Sequence, residues 1–335
     1  MNDADPKALL PPFIPVFTLP PWATYLGNIA PLLPSLVAPP NGKRLLAMGD
    51  SWFNYLPHYD VIWWLRAKYG FACDSMAVIG EKLVQMAPPK GWDPFNPPTD
   101  LKIGDPGHQL AALALAMRAL SGGQKDEVSA VLISGGGNDI AGDGHVVGSG
   151  NVLRQLLNDA AAGPPHINAA AFEKIVRQDM YALLRDILTQ TIRLIDIYLP
   201  NRKIPIYIHG YAWPVPDGRP GPINNWLKPA FDDADYTSLQ LCTDIMQDLI
   251  NRFRQLILDV IAEVTLPGTP QRAFYLDVRG ALSNSLAGGA YKADWQNELH
   301  PSIPAGFEKV ADLFAHAIGV PATANSRVEG TMEAA

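Results

Sequence analysis

Four residues of this sequence are of types that together support one kind of chemistry. Ser51 follows the apolar run 43–49, Gly80 ends a second apolar run, and Asn138 follows a third through "SGGGN". His300, in "NELHPS", comes shortly before the last predicted helix. These types suit acyl transfer, in which a serine hydroxyl attacks, an imidazole takes its proton and nearby N–H groups stabilise the oxyanion.

The Gly49-Asp50-Ser51 tripeptide alone is not decisive. It is also typical of a tight turn in which the serine caps the next helix. Ser51 becomes a candidate nucleophile because Gly80, Asn138 and His300 are expected at the same end of the fold. The oxyanion donors would then be the N–H groups of Ser51 and Gly80 and the side-chain amide of Asn138.

The elements that must position these residues alternate between strands and helices. The pattern predicts strands at 43–49, 71–80, 128–136, 203–210 and 272–278, and helices near 58–69, 107–120, 168–199, 237–264 and 305–318. Such alternation favours a parallel sheet covered by helices on both faces. Parallel sheets place ligand sites beyond the carboxyl ends of their strands, where these residues fall.

The ordered set of motifs resembles the SGNH, or GDSL-type, hydrolase family. Its four blocks are matched by Gly49-Asp50-Ser51, Gly80, Gly137-Asn138 and His300-Pro301, and the resemblance covers residues 43–318. It implies a flavodoxin-like three-layer α/β/α fold, a five-stranded parallel sheet of order 2-1-3-4-5, and ester hydrolysis with neither a metal nor a cofactor. It further implies that Ser51 is the nucleophile, that His300 is the base, and that Ser51, Gly80 and Asn138 form the oxyanion hole. No GxSxG elbow occurs, which argues against an α/β-hydrolase.

The sequence departs from the family at the residue that orients the histidine. The family's last block usually reads Asp-x-x-His, whereas Asn297 lies three residues before His300. Asn297 is the first candidate by position, and Asp294 is the alternative acid by chemistry. Glu298, Asp277 and a dyad without a third residue are further options. In serine protease triads the corresponding Asp-to-Asn change favours the wrong imidazole tautomer.

Aromatic residues indicate what the site binds. We expect Trp52, Phe53, Trp92 and Trp213 to line a pocket for short or medium acyl groups or aryl groups of a small-molecule ester. Carbohydrate esters, lysophospholipids and thioesters remain alternatives on the same residues. A non-catalytic binding module on this scaffold is the alternative from another functional class.

Composition narrows the possible partners. The net charge is −7 and Lys and Arg form no run, so a nucleic-acid partner is not expected. The two cysteines, Cys73 and Cys242, lie in apolar surroundings and are predicted to be buried free thiols. No Cys/His cluster has the spacing of a zinc site.

Three segments are expected along the chain: a Pro-rich N-terminal arm at 1–40, a hydrolase domain at 41–320 and a flexible tail at 321–335. The arm has ten prolines and no charge from Ala8 onward, so we expect no stable membrane span there. It is predicted to pack on the domain or to join subunits of a homo-oligomer. Without a recognisable export signal, a cytoplasmic location is the expectation.

Overall fold

The computed structural model describes residues 43–55, 59–121, 128–141, 152–200, 203–219, 226–319 and 332–333. The predicted arm at 1–40 lies outside these ranges. So does the predicted tail at 321–335, except for its residues 332–333. The expectations for both segments stay predictions.

Five parallel strands form one sheet in the order β2-β1-β3-β4-β5, as predicted. They are β1 (Arg44–Met48), β2 (Ala72–Ser75), β3 (Val128–Ser134), β4 (Ile206–His209) and β5 (Ala273–Leu276). A two-residue strand, β6 (Met332–Glu333), pairs antiparallel with β5 at the sheet edge.

The strand sequences are apolar because both faces of the sheet are covered. All five residues of β1 are buried, and so are six of the seven in β3. The one charged residue of β1, Arg44, pairs with Asp74 of β2 at 2.8 Å. Met48 pairs with Ile133, and Ser134 with His209, so these strands end along one edge of the sheet.

The α-helices among the described residues are α1 (Val61–Ala67), α2 (Leu83–Met86), α3 (His108–Ser121), α4 (Gly137–Ala141), α5 (Val152–Leu156), α6 (Ala169–Phe172), α7 (Tyr181–Tyr198), α8 (Lys228–Asp232), α9 (Leu239–Val264) and α10 (Ala305–Gly319). A π-helical segment, Glu173–Met180, joins α6 to α7, and 3₁₀ helices cover Ala160–Ala162 and Ala287–Ala293. α1 packs against α10, whereas α7 packs against α3 and α9. The result is the α/β/α layering expected from the sequence.

The second strand is shorter than predicted. The sequence indicates a strand over 71–80, but β2 ends at Ser75. Met76 and Val78 still donate to carbonyls of β1 and of Gly49. The chain then turns, and Glu81 N–H donates to the Val78 carbonyl. Gly80 therefore lies in this turn, with a φ of 81° that favours glycine, rather than at the strand end.

Cys73 and Cys242 are both free and buried, as predicted. Within the described ranges, no helix combines the length and the apolar character needed to cross a bilayer.

Candidate active site

The turn that carries Ser51 is held against β3 and α3. A Cβ atom on Gly49 would lie 2.5 Å from the Ser134 carbonyl oxygen, so only glycine fits at this close approach. The buried Gln109 side chain accepts from Gly49 N–H at 2.7 Å and donates to the Gly49 carbonyl at 2.8 Å. Both peptide groups are thus satisfied where the β1 ladder ends.

Asp50 ties this turn to the loop after β3. Its carboxylate accepts from Trp52 N–H at 3.0 Å, from the Ser134 hydroxyl at 2.7 Å and from the Tyr211 hydroxyl. Tyr211 in turn accepts from Gly137 N–H at 2.9 Å. Burial and the Asp50 charge raise the pKa of Tyr211 well above its ordinary value, so the phenol keeps its proton.

Ser51, His300 and Asn297 form a continuous chain of hydrogen bonds. His300 Nε2 lies 2.8 Å from Ser51 Oγ, and His300 Nδ1 lies 3.0 Å from Asn297 Oδ1. All three side chains are buried. The structure therefore brings together three residues that are separated by up to 249 positions in the sequence.

The amide of Asn297 is oriented by the backbone. Its Oδ1 also accepts from Leu299 N–H at 2.9 Å and from His300 N–H at 3.0 Å, while its Nδ2 donates to Tyr55 at 3.3 Å. Turning the amide over would place its NH₂ group against two N–H donors. The oxygen thus faces His300, which requires the proton on Nδ1 and leaves Nε2 free to accept from Ser51.

Aromatic rings enclose the imidazole of His300. The Tyr55 ring stacks on it with centroids 4.3 Å apart and planes inclined by 28°, and the Trp226 ring contacts it at 5.7 Å. Burial in these surroundings lowers the pKa of His300 to about 3. The imidazole is therefore neutral at ordinary pH.

The carboxylates considered as alternatives to Asn297 bind other groups. Asp294 accepts from Ser283 N–H at 2.8 Å and pairs with Lys309 at 2.6 Å. Asp277 pairs with Arg279. Of the candidates, the structure places Asn297 alone within hydrogen-bond distance of the His300 side chain.

Glu298 does not bond the His300 side chain and instead joins two described stretches after β4, 211–219 and 226–228. Its buried carboxylate accepts four backbone N–H bonds of 2.8–3.0 Å, from Gly218, Trp226, Leu227 and Lys228. Burial raises the pKa of Glu298, and these N–H bonds oppose that rise. Glu298 therefore holds in place the segment that presents Trp226 to His300.

The predicted oxyanion donors lie around the same turn. Asn138 is the second residue of α4, and its Nδ2 donates to the Glu81 carbonyl at 3.0 Å. This leaves the second hydrogen of its NH₂ group for another acceptor. Gly80 lies between Val78, which bonds Gly49, and Glu81, which bonds Asn138. In the described part of the chain, the N–H groups of Ser51 and Gly80 have no acceptor.

An apolar pocket of about 780 Å³, part of it open to solvent, begins at Ser51 and Asn138. Its walls come from the helical segment 169–198, from α9, from residues 211–214 and from Leu227. The helical segments contribute the side chains of Phe172, Val176, Met246, Leu249, Ile250 and Phe253. A mainly apolar lining with a few polar groups at one end is typical of a small-molecule site.

Of the four aromatic residues expected to bind substrate, Trp52 lines this pocket. Phe53, Trp92 and Trp213 do not. Phe53 packs in the core against His209 and Phe314. The indole N–H groups of Trp92 and Trp213 donate to Gln190 and Asn251 instead.

Tyr55, Gln109, Tyr211 and Glu298 contribute to the site in ways that the sequence pattern does not indicate. Of these four, only Tyr211 has a position in the sequence that indicates a role in the site, because it directly follows the predicted strand 203–210. Among the residues with described positions, no three His, Cys, Asp or Glu side chains cluster as they would around a metal ion.

Comparisons with known proteins give similarity to solved hydrolase structures at low identity. An acetylxylan esterase from Geobacillus stearothermophilus aligns with 15% identity and a TM-score of 0.39, covering 84% of this chain and 95% of its own. An extracellular lipase from Streptomyces rimosus aligns with 15% identity and a TM-score of 0.41, covering 81% and 98%. A GDSL-like lipase from Parabacteroides merdae aligns with 11% identity and a TM-score of 0.41, covering 83% and 96%. No family model and no curated protein matches the sequence.

Proposed function

We propose that this protein is a serine ester hydrolase of the SGNH type. The observation that carries the proposal is the hydrogen-bond chain from Ser51 Oγ through His300 to Asn297 Oδ1, with links of 2.8 and 3.0 Å. A nucleophile in contact with a base, which is itself held by a third group, is the arrangement that covalent acyl transfer requires.

In the first half of the reaction, Ser51 Oγ attacks the ester carbonyl carbon and its proton passes to His300 Nε2. The carbonyl electron pair moves onto the oxygen, which becomes an oxyanion. In the proposed mechanism, this oxyanion accepts hydrogen bonds from Asn138 Nδ2 and from the N–H groups of Ser51 and Gly80, for which the described residues supply no other acceptor. When the oxyanion collapses, the imidazolium gives its proton to the departing alkoxide, and the acyl group stays on Ser51.

In the second half, a water molecule attacks the acyl carbonyl and gives its proton to His300 Nε2. Collapse of the second oxyanion returns that proton to Ser51 Oγ and releases the carboxylic acid. Asn297 keeps Nδ1 protonated throughout, so Nε2 alternates between accepting and donating.

The pocket supports an apolar acyl group of short to medium length, or an aryl group. Its walls beyond Ser51 and Asn138 are mainly aliphatic and aromatic, with few groups that could hydrogen-bond a sugar. We therefore propose that simple apolar esters are the preferred substrates. Lysophospholipids and thioesters come next, because they too can place an apolar acyl chain in the pocket, and carbohydrate esters come last.

The test is hydrolysis of a p-nitrophenyl acyl series, from acetate to dodecanoate, by the wild-type protein and by Ser51→Ala. Ser285→Ala is the matched control, because Ser285 is exposed and does not line the pocket. We expect turnover that is greatest for a short or medium chain, abolished in Ser51→Ala and kept in Ser285→Ala. Turnover that survives Ser51→Ala would remove Ser51 as nucleophile. Absence of turnover on every ester, with chain-dependent binding of the free fatty acids, would favour the binding-module alternative.

A further inference from the structure

The positive charge that His300 acquires during the reaction lacks the usual carboxylate partner. Its Nδ1 faces the neutral amide oxygen of Asn297. In the described part of the chain, the imidazole nitrogens hydrogen-bond Ser51 and Asn297 and no charged group. Some other group must offset the cost of forming a buried imidazolium, because isolated charges are strongly disfavoured in an apolar environment.

Tyr55 occupies the position from which such a group would act. Its ring lies nearly parallel to the imidazole, with a centroid separation of 4.3 Å. The negative face of an aromatic ring attracts a cation within about 6 Å of its centroid, most strongly where water is excluded. Tyr55 is 2% exposed and His300 is 6% exposed, so this contact is shielded from solvent.

Two further contacts hold the Tyr55 ring in this position. Its hydroxyl accepts from Asn297 Nδ2, and its ring packs against Phe307 of α10 with centroids 5.4 Å apart. Its backbone N–H donates to Asp60, the cap of α1. The ring is thus anchored to the same asparagine that orients His300.

The described ionisable groups on the segments around His300 bond other residues: Asp50 with Tyr211, Asp60 with Trp63 N–H, Asp217 with Arg219, Glu298 with the N–H groups of residues 226–228, Lys228 with Asp232, and Lys309 with Asp294. None of them hydrogen-bonds the imidazole in the described structure. Two described aromatic rings contact the imidazole, and Tyr55 is the nearer, with its centroid at 4.3 Å against 5.7 Å for Trp226, and the one that stacks on the imidazole face.

Resting on the hydrolase function proposed above, we propose that Tyr55 is a positioning residue whose ring stabilises the His300 imidazolium in place of the missing carboxylate. The relevant property is the electron-rich face of the ring rather than its hydroxyl. A phenylalanine should therefore substitute well, and an aliphatic residue of similar size should not.

The first experiment compares kcat for a p-nitrophenyl ester in Tyr55→Phe and Tyr55→Leu. We expect Tyr55→Leu to lose roughly 5- to 30-fold in kcat, with KM little changed, and Tyr55→Phe, which loses the hydroxyl contact with Asn297 but keeps the ring, to lose less. A series of phenylalanines with increasing numbers of fluorine atoms is then placed at position 55. Fluorine reduces the negative potential on the ring face and leaves the ring close in shape to that of Tyr55→Phe. We expect kcat to fall with each added fluorine. A flat series would overturn the proposal and leave Tyr55 as packing alone.

The second experiment does not depend on ester turnover. In the Asn297→Asp background the carboxylate brings the His300 titration into an accessible range, where NMR can follow its imidazole protons. We expect Tyr55→Leu to lower the pKa of His300 in that background and Tyr55→Phe to leave it in place. An unchanged titration in Tyr55→Leu would contradict the proposal even if the protein hydrolyses esters. The expected shift would support it even if no ester tested is a substrate.

Discussion

The Asn297 side-chain oxygen lies 3.0 Å from His300 Nδ1 while it also accepts the backbone N–H groups of Leu299 and His300. In a serine protease triad, replacing the aspartate by asparagine costs about 10⁴ in turnover because the amide selects the wrong tautomer. Here the two backbone donors prevent the amide from turning, so an asparagine can hold the productive tautomer.

Removing the amide should disable the base. We expect Asn297→Ala to lower kcat by roughly 10²- to 10⁴-fold, because His300 Nδ1 loses its acceptor and both tautomers become accessible. Asp294→Ala is the matched control, since Asp294 bonds Ser283 and Lys309 instead of His300. Steady-state kinetics of the two variants show whether Asn297 or Asp294 supports His300. The assignment of Asn297 fails if Asp294→Ala is the variant that loses kcat.

Restoring a carboxylate should move the pH dependence. His300 must be neutral to accept the Ser51 proton, and its pKa of about 3 predicts a wild-type rate that stays level from pH 8 down to about 5. A nearby negative charge favours the imidazolium, so Asn297→Asp should raise the pKa of His300. We expect the acid limb of kcat/KM to appear at a higher pH in Asn297→Asp. Superimposable profiles would contradict this account of the His300 environment.

The two buried histidines should make the fold sensitive to acid. Burial lowers the pKa of His300 to about 3 and that of His209 to about 4, whereas an unfolded histidine titrates near 6.5. Below pH 6.5 the unfolded state therefore binds protons that the folded state does not, and the free energy of unfolding falls as the pH falls. Between pH 7 and 4.5 each residue should remove about 2 kcal/mol from the free energy of unfolding.

Denaturant titrations of wild type and of His209→Leu at the two pH values measure this effect. The variant should lose less stability than wild type over the same interval, because one of the two groups is gone. An equal loss in both proteins would show that His209 titrates normally in the folded state.

The Glu298 carboxylate should stabilise both the fold and the active-site loop. In Glu298→Gln an NH₂ group would face two of the four backbone N–H donors, leaving them unsatisfied. We expect a loss of about 3 kcal/mol in the free energy of unfolding and a reduced kcat/KM as Trp226 and Leu227 shift. Glu308→Gln, at a partly exposed surface carboxylate that pairs with Lys68, should cost less than about 1 kcal/mol. Similar losses in the two variants would refute the positioning role of Glu298.

Pocket depth should set the acyl-chain preference. Met246 lines the pocket from α9, and Met246→Phe adds bulk there. We expect the optimum of the p-nitrophenyl series to move to shorter acyl chains, with acetate turnover changed little. Gln255→Phe, on the exposed side of the same helix, is the control and should leave the optimum unchanged. An unchanged optimum in Met246→Phe would place the acyl chain elsewhere.

The parts of this fold that follow from local sequence could be predicted. The apolar runs at 43–49 and 128–136 predict β1 and β3 because buried parallel strands need continuous apolar residues. The same reasoning overextends the second strand to Gly80, since an apolar composition does not reveal that pairing ends at Ser75. The positions of Ser51, Asn138 and His300 follow from strand ends, which share one edge of a parallel sheet.

The environment of those residues could not be predicted, because it depends on contacts between distant segments. Phe53 and Tyr55 are neighbours in one aromatic run, yet Phe53 enters the core and Tyr55 stacks on His300. Glu298 and Asn297 are adjacent polar residues before the same histidine, and which of them faces it depends on the backbone N–H groups of Gly218 and residues 226–228 that bind Glu298. Propensity and spacing carry no information on such choices.

The most direct test of the central claim is labelling by a fluorophosphonate, followed by peptide mass spectrometry of the adduct. The account predicts one phosphonyl group per chain, attached to Ser51, with labelling slowed severely in His300→Ala and absent in Ser51→Ala. A label on another residue, or a labelling rate that does not depend on His300, would contradict the claim that His300 activates Ser51 as a nucleophile.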